Sequence, residues 1–235
     1  MTLKYFNLDI TDGKAVVTFN RPEKLNAINH DMGLEFRNIL HRINEDHDSR
    51  VLILTGAGRG FCSGADVSGN EQKDSQDNWV GIWNSIIRQM RTLRRPIIAA
   101  VNGVAAGIGF SITSACDIRI ASEKARFTAI FVRRGLSVDG GLSYMLPKLV
   151  GISNAFKLMY SGDIIDATTA QQMGLVSQVV PCENLLSTVD ELATIIANGP
   201  PLTISSIRKV TYAALDSSLD TMIEMEHHTN RMLMH

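Results

Sequence analysis

Residues Ile97–Ile120 read IIAAVNGVAAGIGFSITSACDIRI, and the fold is decided there. Ile97 to Val101 is short and almost wholly apolar, the pattern of a buried strand. Asn102-Gly103 signals a turn. Ala105-Ala106-Gly107-Ile108-Gly109 is small and glycine-bracketed, and it opens an apolar helical run to about Ala115. A glycine-rich bend at a helix start leaves unpaired N–H groups at the positive end of the helix dipole. Such a mouth holds an anion, or an oxygen that becomes one during a reaction. Close backbone packing explains the same glycines equally well.

Upstream, a second stretch repeats the arrangement. Val51-Leu52-Ile53-Leu54-Thr55 reads as a buried strand and runs into Gly56-Ala57-Gly58-Arg59-Gly60 and then Phe61-Cys62-Ser63-Gly64-Ala65-Asp66. Asp66 is placed to cap the next element of the chain. FCSGAD, AAVNGVAAGIGFSITSACD and the earlier loop Asn20-Arg21-Pro22-Glu23-Lys24-Leu25-Asn26-Ala27 together resemble the crotonase, or enoyl-CoA hydratase/isomerase, family. Motif order and spacing match across residues 4–230. Ser63 stands where alanine is common. The residues alone imply two mouths of free N–H groups; the resemblance implies that a thioester binds there.

Composition bounds the rest. The 235 residues fit one domain, or a domain with a small appendage. A hydrophobic content of 45% supports a large core. The formal charge of −1 gives no basic surface for nucleic acid or membrane. No signal-like segment and no apolar run of membrane-spanning length is seen. Cys62, Cys116 and Cys182 are odd in number and widely spaced, which predicts buried free thiols in a reducing, cytoplasmic setting. No metal-ligand spacing is present, so no metal is expected.

Along the chain, Tyr5–Ile10 and Ala15–Phe19 flank Asp12-Gly13 as a hairpin. Helical spacing appears over 31–47 and 78–94, the second with Trp79 and Trp83 on its apolar face, as core or pocket wall. Residues 67–76 lack period and read as a loop, its acids Glu71, Asp74 and Asp77 solvated. Further strands are expected at Cys116–Ala121 and Leu175–Val180, and helices at 142–149, 153–160, after Asp166, and at 185–197, 202–215 and 218–232. The alternation invites a dinucleotide-binding fold, but no GxGxxG follows the first strand and the opening hairpin is wrong for one. The crotonase resemblance implies an α/β spiral of ββα units over 1–195 and a helical trimerisation region over 196–235. It also implies a further last helix, and the sequence stops at His235.

The resemblance assigns roles residue by residue. The thioester carbonyl would sit between the backbone N–H groups of Ala65 and Ile108, donors worth roughly 3–4 kcal/mol each in comparable oxyanion holes. Ile108 stands where the family usually has glycine, which keeps the donor and narrows the pocket. Lys24 and Ala27 would face the CoA, with Lys24 near its phosphates. The adenine would rest on Ser63, Gly64, Ala65, Asp66 and Val67, and Gly107, Ser111 and Phe131 would line the acyl side. CoA is then part of the substrate and no separate cofactor is needed. The partner would be an acyl-CoA thioester, and the assembly a homotrimer or a dimer of trimers.

The two glutamates of the family's hydratases would fall at Ser111 and at or near Phe131, and neither position is acidic. Asp139, in Gly135-Leu136-Ser137-Val138-Asp139-Gly140-Gly141, is the remaining acid. Its loop resembles that of 1,2-epoxyphenylacetyl-CoA isomerases and related enoyl-CoA isomerases, where this aspartate is catalytic. Leu136, Val138 and Phe131 would surround it with apolar groups and raise its pKa. An aspartate followed by Gly-Gly at a helix start also fits a cap. The reading favoured is a double-bond or ring isomerase with Asp139 as acid/base. The alternatives are a hydratase or hydrolase with water held by Ser111, Ser114 or Ser137, and an inactive CoA-ester binding protein.

Overall fold

The computed structural model describes residues 3–67 and 76–234, with the side chains of residues 76–79 left aside. The Asp12-Gly13 hairpin forms. β1 (Phe6–Thr11) pairs antiparallel with β2 (Lys14–Phe19), and both turn residues adopt positive φ. A 3-10 turn at Pro22–Lys24 leads to α1 (His30–Glu45), capped by Asn29, whose side chain accepts from the Met32 N–H. Phe36, Ile39, Leu40 and Ile43 bury the helical stripe that their spacing predicts.

Strand–turn–strand units come next: β3 (Val51–Gly56) with β4 (Gly60–Cys62), β5 (Ile97–Val101) with β6 (Val104–Ala106), and β7 (Ile118–Ser122) with β8 (Arg126–Thr128). α2 (Gln76–Thr92) and α3 (Ile108–Ala115) join them. β9 (Ile165–Asp166) and β10 (Gln178–Val180) come later in the chain. Among the described residues, the first strands extend the hairpin into a six-stranded sheet of order β1-β2-β3-β5-β7-β10. The second strands make a four-stranded sheet, β4-β6-β8-β9. Pairing is parallel except at β1–β2 and β8–β9. The predicted coil of ββα units is what forms.

Alternate residues of β3 and β5 serve two cores. Leu52, Leu54, Ile97 and Ala99 join the main core with Phe36, Trp83 and α3. Val51, Ile53, Ile98 and Ala100 pack on Leu185, Val189 and Ala193 of α7 (Leu185–Ala197). A sheet covered on both faces explains why these strands read as unbroken apolar runs. Every residue of α3 is buried, so this helix lies inside the main core.

The remaining helices are α4 (Leu142–Val150), α5 (Ile152–Ser161), α6 (Ala167–Gln172), α8 (Pro201–Ala214) and α9 (Leu219–Leu233). Asp166 caps α6 through the Thr169 N–H, as its position predicts. A polar knot ties α8 to the core. Buried Arg208 donates to the carbonyls of Met90 and Leu93 at 2.7 Å and of Arg91 at 2.9 Å. It pairs with Asp117 at 2.8 Å, and Asp117 also accepts from Tyr212 and from the Ile97 N–H. The C-terminal carbonyls of α2 thus receive a cation that complements the helix dipole.

Several expectations shift. The helix of the central stretch begins at Ile108, because Val104–Ala106 form β6, too short for a period to show. Phe61 and Cys62 likewise belong to β4 rather than to a loop. The last strand shortens to Gln178–Val180, because the Leu175 N–H closes α6 on the Ala170 carbonyl at 2.8 Å. The strand read at Cys116–Ala121 moves to Ile118–Ser122. Cys62 and Cys116 are buried free thiols, that of Cys62 pushed up to about 12 by desolvation and that of Cys116 further. Cys182 is only half-buried, since it opens a surface 3-10 turn after β10. Trp83 is core. Glu71 and Asp74 lie outside the described residues, as do the side chains of Asp77 and Trp79.

Candidate active site

The two glycine loops meet because their strands are neighbours. β4 and β6 pair in parallel with Cys62 opposite Ala105, so the segments after their carboxyl ends, Ser63-Gly64-Ala65 and Gly107-Ile108, emerge side by side. A Cβ on Gly64 (φ +101°) would lie 3.0 Å from the Ala106 carbonyl oxygen, an approach that only glycine allows without strain. Gly107 (φ 54°) turns the chain into α3, leaving Ile108 as its first residue. Among the described residues, neither the Ala65 nor the Ile108 N–H donates to a backbone carbonyl. Two backbone donors therefore stand free at adjacent strand ends, one of them at a helix N-terminus.

The surrounding loops are stitched in place. The Ser63–Asp66 segment runs beside Leu25–Ile28: the Ser63 N–H donates to the Leu25 carbonyl at 3.0 Å, Ile28 to Gly64 and Asp66 to Ile28, both at 2.8 Å. Fully buried Asn26 donates to the carbonyls of Ala57 and Gly60 and accepts from the Arg21 N–H. Arg21 pairs with Asp66 at 2.9 Å and donates to the Ala27 carbonyl at 2.8 Å. Nothing in their spacing announces these contacts, although Arg21 and Asn26 lie in the motif that carried the resemblance.

Asp139 arrives from the far side of α3. Its carbonyl accepts from Ser111 Oγ at 2.9 Å, and the next N–H, of Gly140, donates to Asn84 Oδ1 of α2 at 3.2 Å. Gly140 has φ +59°, and a Cβ there would sit 2.5 Å from Ile108 Cδ1. The loop therefore lies directly on the first turn of α3, against the side chains of Ile108 and Ser111. Asp139 Oδ1 is buried without a hydrogen-bond partner. Desolvation alone pushes the carboxyl up to about 6. The cap reading of Asp139 is corrected: the cap of α4 is Gly141, with no side-chain cap bond, and only the Asp139 main-chain oxygen reaches the Leu142 N–H.

Known proteins resemble the chain over nearly its whole length. The family model described as enoyl-CoA hydratase/isomerase matches residues 9–235. The chain belongs to the enoyl-CoA hydratase/isomerase family. It is 39% identical to the Mycobacterium leprae protein named probable enoyl-CoA hydratase echA12, over 90% of this chain and 76% of that one. It is 34% identical to the 1,2-epoxyphenylacetyl-CoA isomerase of Escherichia coli, over 95% of this chain and 87% of that one. The crystal structure of an enoyl-CoA hydratase from Bacillus anthracis superposes with a TM-score of 0.94 at 31% identity, covering 97% of this chain and 90% of that one.

For a member of this family, the expected site residues fall in two groups. Ala27, Ser63, Gly64, Ala65 and Asp66 form the stitched ribbon, with Lys24 exposed at its end and its carbonyl accepting from Ser63 Oγ. Val67 is exposed and is the last described residue of that ribbon. Gly107, Ile108, Ser111, Phe131 and Asp139 form the second group. Phe131 Cζ lies 4.0 Å from where a Gly107 Cβ would be. Leu136 does not shield Asp139 as expected: its place in the turn after a 3-10 helix leaves it 63% exposed. Val138 does pack against the core. Of the serines, Ser111 and Ser114 spend their hydroxyl protons on backbone carbonyls, and Ser137 is exposed. Asn84 is the site residue that sequence reasoning missed, since a polar residue between Trp83 and Ile86 reads as part of an amphipathic stripe. Among the described residues, no helix is long and apolar enough to cross a membrane, and no group of His, Cys, Asp and Glu is placed to hold a metal ion.

Proposed function

We propose that the protein isomerises the double bond, or a strained ring, of an acyl-CoA thioester, with Asp139 as its one acid/base. The observation that carries this reading is half-buried Asp139, whose Oδ1 is buried and unpartnered, in a loop packed on Ile108 and Ser111. In a 3-enoyl-CoA, Asp139 takes the proton from the carbon next to the thioester. The released electron pair moves into the carbonyl, whose developing negative oxygen is held by the Ala65 and Ile108 N–H groups. The protonated Asp139 then delivers its proton to the γ carbon, and the double bond ends beside the thioester. No water enters and no further cofactor is required.

The relative named as an isomerase supports this reading, and those named as hydratases support a second. Hydration needs one group to activate water and another to deliver a proton. The positions where the resemblance puts two glutamates hold Ser111 and Phe131. Turnover of a 3-enoyl-CoA in 18O-water tests the choice. From the 3-enoyl-CoA a 2-enoyl-CoA free of label is expected; labelled 3-hydroxyacyl-CoA from a 2-enoyl-CoA offered in parallel, or labelled free acid, makes the protein a hydratase or hydrolase, and binding of both esters without turnover makes it a CoA-ester binding protein.

Asp139 also sets the expected pH dependence. The base form is required, so kcat/KM should rise with pH through about 6 and level off above it, reporting the free enzyme. A limb near pH 4, the value of an exposed carboxyl, would place the base elsewhere.

Assembly is expected to be trimeric or hexameric. The sole buried residue of α8 is Arg208 and of α9 is Met222, so Leu202, Ile207, Leu215, Leu219 and Ile223 leave an apolar face uncovered on the last helices. Light scattering should give a mass that is a multiple of three of the 25.8 kDa chain; a monomer at micromolar concentration contradicts it.

A further inference from the structure

We propose that Asn84 is a positioning residue, which with Ser111 clamps the Asp139–Gly140 peptide and so aims the Asp139 carboxylate. The inference rests on Asp139 being the acid/base. A carboxylate whose Oδ1 is buried without a hydrogen-bond partner lacks a side-chain contact there to set its direction. Its aim must come largely from the backbone that carries it. That backbone is gripped at both ends of one planar peptide unit. The oxygen of the unit accepts from Ser111 Oγ at 2.9 Å and from the Leu142 N–H at 3.1 Å. Its N–H donates to Asn84 Oδ1 at 3.2 Å.

The two grips come from different helices. Ser111 lies on α3, one turn after the Ile108 donor, and Asn84 lies on α2. Gly140 lets the unit lie flat on α3, since a Cβ would meet Ile108 Cδ1 at 2.5 Å and Ser111 Cβ at 2.8 Å. Ile87, three residues after Asn84, reaches to 3.8 Å of a Cβ position at Gly141, so α2 follows the loop across both glycines. The Gly140 N–H precedes α4 and has no acceptor inside that helix. Only a group from outside α4 satisfies it, and α2 supplies that group. The distance from carboxylate to oxyanion donors is thereby fixed by the packing of α2 on α3 and not by the loop itself.

The test uses Asn84→Ala, Asn84→Asp and Asp139→Asn on the full chain, read by kcat and KM for a 3-enoyl-CoA, the pH profile, and calorimetric affinity for acetoacetyl-CoA. Asn84→Ala should lower kcat about tenfold to a hundredfold, the scale of a carboxylate misplaced by about 1 Å, with KM and ligand affinity unchanged. Asn84→Asp keeps the acceptor oxygen and should recover most of kcat on its plateau. Its added charge should move the acid limb to higher pH, because a like charge favours the protonated Asp139. The limb reports proximity and moves for a merely structural Asn84 too; a kcat lost in folded Asn84→Ala at the parental melting temperature and regained in Asn84→Asp is what a merely structural role would not give. If Asp139→Asn is inactive while Asn84→Ala turns over at the parental rate, the clamp is overturned and the acid/base reading stands. If Asp139→Asn retains activity, the acid/base reading falls and the clamp with it. Should Asn84→Ala fail to fold, the near-isosteric Asn84→Leu, which also lacks the acceptor, decides: a parental kcat overturns the clamp.

Discussion

Replacing Asp139 with Asn is expected to slow exchange of the substrate's α and γ protons into deuterated water by ~10²–10⁴, the usual contribution of a positioned general base. Shape is nearly conserved, so affinity for acetoacetyl-CoA should hold. Stability separates this loss from a structural one. Helix α4 is capped at Gly141 without a side-chain bond, so no cap is removed. The folded carboxyl titrates at about 6, above the value near 4 of an unfolded aspartate. Between these values the native state holds the extra proton, so Asp139 lowers stability as pH rises from about 4 to about 6, and the deficit persists above. Asn is neutral throughout. The variant should therefore melt at or above the parent's temperature at about pH 8, with the difference shrinking as pH falls towards 4. Exchange at the parental rate in the Asn variant would return Asp139 to a bystander.

Ser111→Ala gives the contrast. Its hydroxyl proton is committed to the Asp139 carbonyl, so on the isomerase reading it loses positioning and not a reacting group. A loss well below that of Asp139→Asn is expected. A loss as large, accompanied by 18O incorporation in the parent, would instead give Ser111 the water that hydration needs.

Why some of this architecture was legible in the sequence and some was not has physical causes. Long elements announced themselves by period: the stripe Phe36, Ile39, Leu40 and Ile43 makes α1, and the unbroken apolar runs of Val51–Thr55 and Ile97–Val101 mark strands covered on both faces. β4 and β6 are three residues each, shorter than one readable alternation, so the second sheet stayed hidden inside what read as glycine loops. Its presence is what sets Ala65 beside Ile108. The mouths themselves were legible only from the motifs read together, because glycine at a strand-to-helix bend serves close backbone packing as well as a free N–H. Asn84 was not legible, since its partner is a main-chain N–H 56 residues away and main-chain groups carry no sequence signature. For Asp139 the sequence allowed both a cap and a base. The cap reading turned on where helix α4 begins, a matter of two residues, and helix boundaries are the least readable feature of a chain.

The closeness of the two mouths rests on Gly109, and adding one methyl there should disable the site. A Cβ on Gly109 would lie 2.2 Å from the Cys62 carbonyl oxygen and 2.9 Å from its carbon. Both are backbone atoms of β4, with no flexible side chain to give way. Helix α3 and strand β4 would have to separate by about 1 Å to restore ordinary contact. Ile108, the residue before Gly109, carries one donor, and Ala65, three residues after Cys62, carries the other. The separation therefore opens the gap between the two N–H groups that, on the proposed function, hold one oxygen. Gly109→Ala is expected to lower kcat ~10²-fold, the cost of a misplacement of that size. Overpacking should also remove about 1–3 kcal/mol of stability. Affinity for acetoacetyl-CoA, whose enolate needs both donors, should fall more than affinity for CoA itself, which does not use the carbonyl site. Gly81→Ala on α2 is the control: nothing lies within 4 Å of its added Cβ, and alanine should raise stability by about 1 kcal/mol through helix propensity. A folded Gly109→Ala protein with parental turnover and parental acetoacetyl-CoA affinity would mean that the reacting oxygen is held somewhere other than between Ala65 and Ile108.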